Sequence, residues 1–127
     1  TGNISHLPGA FDQLPALVAD LPEFGAVIKG MGKGRAATID GVYASSAALV
    51  IAALASKCRG TVLVAMAHVR DMESMASDLE SFTGKAPTLL PITGSLPGDT
   101  RLDREHRERL ALISSLKEPE APKIILA

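Results

Sequence analysis

The stretch from Ala47 to Cys58, Ala-Ala-Leu-Val-Ile-Ala-Ala-Leu-Ala-Ser-Lys-Cys, carries apolar side chains at every helical angle. A helix without a polar face is stable only where other elements cover it on all sides. Its flanks say which elements these are. Before it stand Ala36–Asp40, expected as a short strand, and Gly41 as a turn. After it, beyond Gly60, Thr61-Val-Leu-Val-Ala-Met-Ala67 forms a continuous apolar run, as in strands with helices over both faces. With 46% apolar residues but only three Phe, one Tyr and no Trp, the interior must be aliphatic and rich in alanine.

The remaining segments extend the same alternation. Residues 1–10 read as an irregular lead-in. Leu14, Leu17, Val18 and Leu21 then fall at helical spacing, with Pro15 in the first turn, and Pro22 starts a second short helix expected to run to Lys29. Lys29-Gly-Met-Gly-Lys-Gly-Arg35 has the residues of a phosphate loop but precedes a strand, so it reads as a flexible basic turn. Ser45 or Ser46 is the expected N-cap of the apolar helix, Lys57 and Arg59 suit its C-terminal dipole, and Gly60 suits a left-handed close. Val69, Met72, Met75, Ala76, Leu79 and Phe82 form one stripe of an amphipathic helix over Val69–Thr83, ended by Gly84. A third strand is expected at Pro87–Pro91 and a fourth at Lys123–Ala127, on either side of a turn-rich loop and a helix from Leu102 to Leu116. Leu102, Leu110, Ile113 and Leu116 make the apolar side of that helix. Its charged side offers Asp103–Arg107, Arg104–Glu108 and Glu105–Arg109 as i,i+4 pairs, each worth about 0.2–0.5 kcal/mol.

Strand alternating with helix implies right-handed crossovers and a parallel sheet with helices on both faces. Strand, glycine turn and helix N-terminus at 36–58 is also the setting of the phosphate-binding loop G-x-x-x-x-G-K-[ST]. Counting from Gly41, the second glycine falls on Ser46, the lysine on Ala47 and the Ser/Thr on Ala48, with Ser45 just before them. Alanine supplies neither the cation that neutralises a phosphate nor the hydroxyl that ligates Mg²⁺. The fold expected is therefore α/β, of the P-loop NTPase or helicase (RecA-like) kind, with a degenerate phosphate loop and no cofactor or metal of its own.

Other classes are set aside on composition. A net charge of −1 gives no overall pull toward nucleic acid, although Arg101, Arg104, Arg107 and Arg109 form a local basic set for DNA or an acidic partner. The interleaved acids favour a solvated face instead. Cys58 is the single cysteine, which excludes an internal disulfide and suits a reducing cytoplasm; it reads as a small buried hydrophobe. No apolar run reaches the roughly 18–20 residues of a membrane span. His68 has no second ligand at a metal spacing and reads as a polar loop residue. The opening Thr-Gly-Asn and the ending Lys123-Ile-Ile-Leu-Ala127 suggest a piece of a longer chain, divided into a helical lead-in (1–34) and an α/β domain (35–127) whose last strand is cut short.

Four segments in order carry a resemblance. Ile39-Asp-Gly through Ala55 is similar to a defunct phosphate loop. Thr61-Val-Leu-Val-Ala-Met-Ala-His, with Asp71-Met-Glu-Ser-Met-Ala-Ser-Asp-Leu-Glu-Ser-Phe82, resembles the strand and helix that follow it. Leu96-Pro97 with Asp99, then Arg109-Leu110 and Leu116, is similar to a stretch running W-E-x-L-P-Y-D…R-L…L, and Lys123–Ala127 to the next strand. Together they resemble the N-terminal, excinuclease-B-like module of the bacterial transcription-repair coupling factor. Thr93, Gly94 and Gly98 stand where that pattern has Trp, Glu and Tyr.

The resemblance implies a scaffold within an ATP-driven DNA translocase that displaces stalled RNA polymerase and recruits nucleotide excision repair through excinuclease A. ATP, Mg²⁺ and the DNA contacts then belong to the parent motor, and no catalytic residue carries over. Excinuclease B or another ATP-dependent helicase domain is the nearest alternative. It is disfavoured by the lost G-K-T and by the absence of aromatic residues across 92–101, since stacking on bases needs rings. An unrelated small α/β domain is the third.

Overall fold

The computed structural model describes residues 11–90 and 100–127, the side chains of the second stretch from Arg104 onward. Two short helices open it, α1 (Leu14–Ala19) and α2 (Pro22–Gly32), each with proline in its first turn, where no backbone donor is lost. α3 (Ser45–Lys57) is the apolar helix. β1 (Val62–Val64) leads through a 3-10 turn at Val69–Asp71 into α4 (Met72–Thr83). Then follow β2 (Thr88–Leu89), α5 (Thr100–Ser115) and β3 (Ile124–Leu126).

The three strands make one parallel sheet in the order β1-β3-β2. Val62, Leu63 and Val64 pair with Ile124, Ile125 and Leu126, while Thr88 and Leu89 pair with Ile125 and Leu126. All three residues of β3 are buried, as its β-branched and leucine side chains and central position require. At the start of the β1–β3 ladder, Thr61 Oγ1 donates to the Pro122 carbonyl at 2.6 Å.

α3 occupies the centre, between two apolar clusters. Ala48, Ala52 and Ala55 meet Met72 and Leu79 of α4 and Ile124 and Leu126 of the sheet. Ala53 meets Ala19 and Phe24 of α1 and α2, with Val50 and Leu54 alongside. The small alanine side chains let three partners approach one helix, which explains why α3 has no polar face. α4 ends at Gly84 in the left-handed conformation (φ 74°).

Several expectations are corrected. Residues 36–40 form no strand among the described residues; they are exposed and outside the sheet. Ala36, Ala37 and Thr38 have too little apolar surface to hold a ladder, unlike Val-Leu-Val or Ile-Ile-Leu. α2 runs to Gly32 instead of Lys29, so half of the supposed basic turn is helical. Gly34 (φ 78°) then closes it, its N–H donating to the Met31 carbonyl at 2.9 Å and that of Arg35 to Gly30 at 3.1 Å. Gly60 is not a left-handed cap. Cys58 leaves α3 extended, and the Lys123 ammonium takes the carbonyls of Cys58 and Gly60. Val69 lies in the 3-10 turn and is exposed, so the α4 stripe begins at Met72.

Cover on the second face of the sheet is partial. Ile125 is buried there, but its β1 neighbour Leu63 is 65% exposed. Leu110 and Ile113 on the apolar side of α5, and Leu116 just beyond its end, are exposed, and no other described element packs extensively on that helix. Leu102 and the Pro91 end of the third strand lie outside the described residues or side chains, as does Asp103 of the first charge pair.

Candidate functional site

The degenerate cradle is built by the loop from Gly41 to Ala44 and the first turn of α3. Gly41 has φ 77°, where glycine carries no penalty, whereas Ala44 is the single described non-glycine residue with positive φ (47°, ψ −118°). An L-residue there stores strain of about 1–3 kcal/mol.

Two contacts hold the turn. Ser46 Oγ accepts the Tyr43 N–H at 2.8 Å and donates to the Tyr43 carbonyl at 2.7 Å. The first backbone donors of α3 are also taken. Ser46 N–H bonds the Tyr43 carbonyl at 3.0 Å, and Ala47 and Ala48 N–H bond the Ala44 carbonyl at 3.0 and 3.2 Å. A phosphate loop works by pointing such donors at an anion. Here those three point back into their own turn.

The expected N-cap role of Ser45 and Ser46 is replaced. Both lie inside the helix, Ala44 is the N-cap, and no side chain caps it. Ser45 Oγ instead donates to Asp78 Oδ2 of α4 at 3.1 Å. That places a carboxylate at the positive end of α3, where a phosphate would otherwise gain from the helix dipole. Ala48, at the position of the metal-binding hydroxyl, is 0% exposed within the main cluster. Its side chain faces the core, away from any ligand.

Asp78 escaped the sequence reading because its partner lies 33 residues away, with no local signal. Tyr43 escaped it too, and at 78% exposure it is the most open of the large hydrophobic side chains among the described residues.

The second candidate, the arginines of α5, does not join this site, since α5 packs extensively on neither α3 nor α4. Arg104 Nε bonds Glu108 Oε1 at 3.2 Å, the expected i,i+4 pair, on an open surface. Arg107 is exposed, Arg109 is half-buried, and the Arg101 side chain lies outside those described. His68 is exposed at the start of the 3-10 turn, and among the described residues no three His, Cys, Asp or Glu side chains gather to hold a metal. Cys58 is half-buried at the C-cap of α3. No helix among the described residues is long and apolar enough to cross a membrane.

Comparison with protein-family models, curated proteins and solved structures finds no match to this chain. What stands is a mixed α/β fold with a small three-stranded parallel sheet.

Proposed function

We propose that the chain is a non-catalytic docking module, built on a RecA-like plan with a defunct phosphate loop, at the N-terminal end of a transcription-repair coupling factor. The observation that carries the non-catalytic part is the state of the α3 N-terminus. Its Ser46, Ala47 and Ala48 donors are satisfied within the turn, and Asp78 stands beside Ser45. A triphosphate there would meet a carboxylate and find neither lysine nor metal-binding hydroxyl at Ala47 and Ala48. The docking part rests on the order of the four resembling segments. Exposed Tyr43 and Leu63 add side chains of the kind that anchor protein contacts.

In this reading the parent protein supplies the ATP- and Mg²⁺-dependent motor, the DNA contacts and RNA polymerase engagement in the cytoplasm. This module supports the docking of excinuclease A. Arg101, Arg104, Arg107 and Arg109 are its candidate contacts with a partner or DNA.

Isothermal titration with Mg²⁺–ATP tests the first half: no saturable heat is expected, and micromolar affinity would overturn it. Helicase motor motifs downstream in the native reading frame are expected from the second half.

One observation favours a second reading, an unrelated small α/β domain. Residues 36–40 stay outside the sheet, although a phosphate-loop fold needs a strand there. A native gene encoding only a short protein would decide for it.

A further inference from the structure

At the C-terminal end of α3, one helix length from the Gly41 loop, the structure contains a cavity of about 460 Å³. It opens at the amino ends of the strands, beside Thr88 and Ile124, not at the carboxyl ends where open α/β sheets take their ligands. Its volume falls in the range of small-molecule sites, about 300–1,000 Å³. Polarity inside it is graded by depth. The buried residues that line it are Pro15, Ala52, Ala55 and Ile124, all of them apolar. The half-buried Phe82, Pro87 and Pro122 continue the apolar wall, and the Phe82 ring is backed edge-on by Phe11 at 6.3 Å between centroids.

The charged lining residues among those described are Asp12, Lys85, Glu120 and Lys123, and all four are exposed. Two charges of each sign at a solvated mouth select neither an anion nor a cation, because water and salt screen them. Selection therefore rests on the wall, and the wall is firm. Pro15 sits in the first turn of α1, Pro87 immediately precedes β2, and Pro122 stands two residues before β3. Proline holds φ at about −65° and has no N–H, so these three keep their shape and present no donor that only water or a polar ligand could satisfy. The space itself exists because α3 presents alanine to it twice, at Ala52 and Ala55, in place of longer side chains.

We infer that this cavity binds a small uncharged molecule with an aromatic body, such as an aryl alcohol. The ring lies against Phe82, the prolines and the α3 alanines, where an aromatic pair adds to the burial of apolar surface. The hydroxyl stays in water at the mouth. A charged group drawn toward the wall loses hydration and finds no partner there, so an ion of the same shape binds less well. The site is separate from the phosphate-loop position and does not depend on the docking function.

The test uses three probes of one shape, 3-phenyl-1-propanol, 3-phenylpropylamine and 3-phenylpropionate, titrated into the isotope-labelled chain and followed by amide chemical shifts. Saturable shifts at Ala55, Ser56, Phe82 and Thr88 are expected, with a Kd of about 1 mM for the alcohol, as suits a ligand of this size. The two ions should bind at least about threefold more weakly than the alcohol, and within about twofold of each other. The double variant Asp12→Asn, Lys85→Gln should leave the Kd of the alcohol unchanged within about twofold. Ala16→Phe, on an exposed position of α1 lining the mouth, should block all three probes without altering the rest of the spectrum. Binding of either ion as tight as that of the alcohol would overturn the proposal, as would undiminished binding to Ala16→Phe. So would shifts confined to residues away from the cavity, or no saturation by the alcohol at about 10 mM.

Discussion

Replacing Ala48 with threonine restores, on paper, the hydroxyl that a phosphate loop uses to hold Mg²⁺. The tertiary structure predicts a different result. Ala48 is fully buried among Ala52, Met72, Leu79, Ile124 and Leu126, so the two added heavy atoms enter a filled core. Overpacking of this kind costs about 1–3 kcal/mol. The acceptor within back-bonding reach of the new hydroxyl, the Ala44 carbonyl, already accepts the Ala47 and Ala48 N–H groups, so the hydroxyl's burial adds to the cost. A net loss of about 2 kcal/mol or more is expected, a fall in Tm of at least roughly 7 °C for a chain of this length. Thermal and urea unfolding followed by circular dichroism measure it, with Ala47→Thr as the half-exposed control expected to cost under about 1 kcal/mol. The combined variant Ser46→Gly, Ala47→Lys, Ala48→Thr should still show no Mg²⁺–ATP heat in calorimetry. A threonine at position 48 that costs nothing and brings nucleotide affinity would refute the inward orientation of this side chain, and with it the account of the dead cradle.

Two more variants probe the core and the loop. Leu79→Ala removes a fully buried side chain between α4, α3 and β3 and should cost about 2.7–5 kcal/mol in urea unfolding, whereas Leu63→Ala, on the open sheet face, should cost under about 1 kcal/mol; equal costs would place the core wrongly. Ala44→Gly relieves the positive φ at the N-cap of α3 and should raise stability by about 1 kcal/mol, and a loss in the same assay would mean that the backbone there is unstrained.

Much of this architecture was legible in the chain because its signals are local. The all-apolar face of Ala47–Cys58 forces a covered helix, and α3 lies between α1, α2, α4 and the sheet. Val-Leu-Val and Ile-Ile-Leu carry enough β-branched and apolar surface to make strands wherever they fall, and Gly84 ends α4 as its freedom at positive φ allows. The loss of lysine and hydroxyl at Ala47 and Ala48 is a matter of residue identity alone.

Tertiary contacts decided the rest. Whether 36–40 pairs depends on a neighbouring strand edge and on burial that Ala-Ala-Thr-Ile-Asp cannot repay, and it stays outside the sheet. Whether the apolar stripe at Leu110, Ile113 and Leu116 is covered depends on what packs against it, and these residues are exposed. The Ser45–Asp78 contact and the cavity beside Phe82 join residues from distant parts of the chain. Periodicity encodes which residues share a face, because that follows from the backbone repeat. Which face meets which partner follows only from the three-dimensional arrangement of all of them.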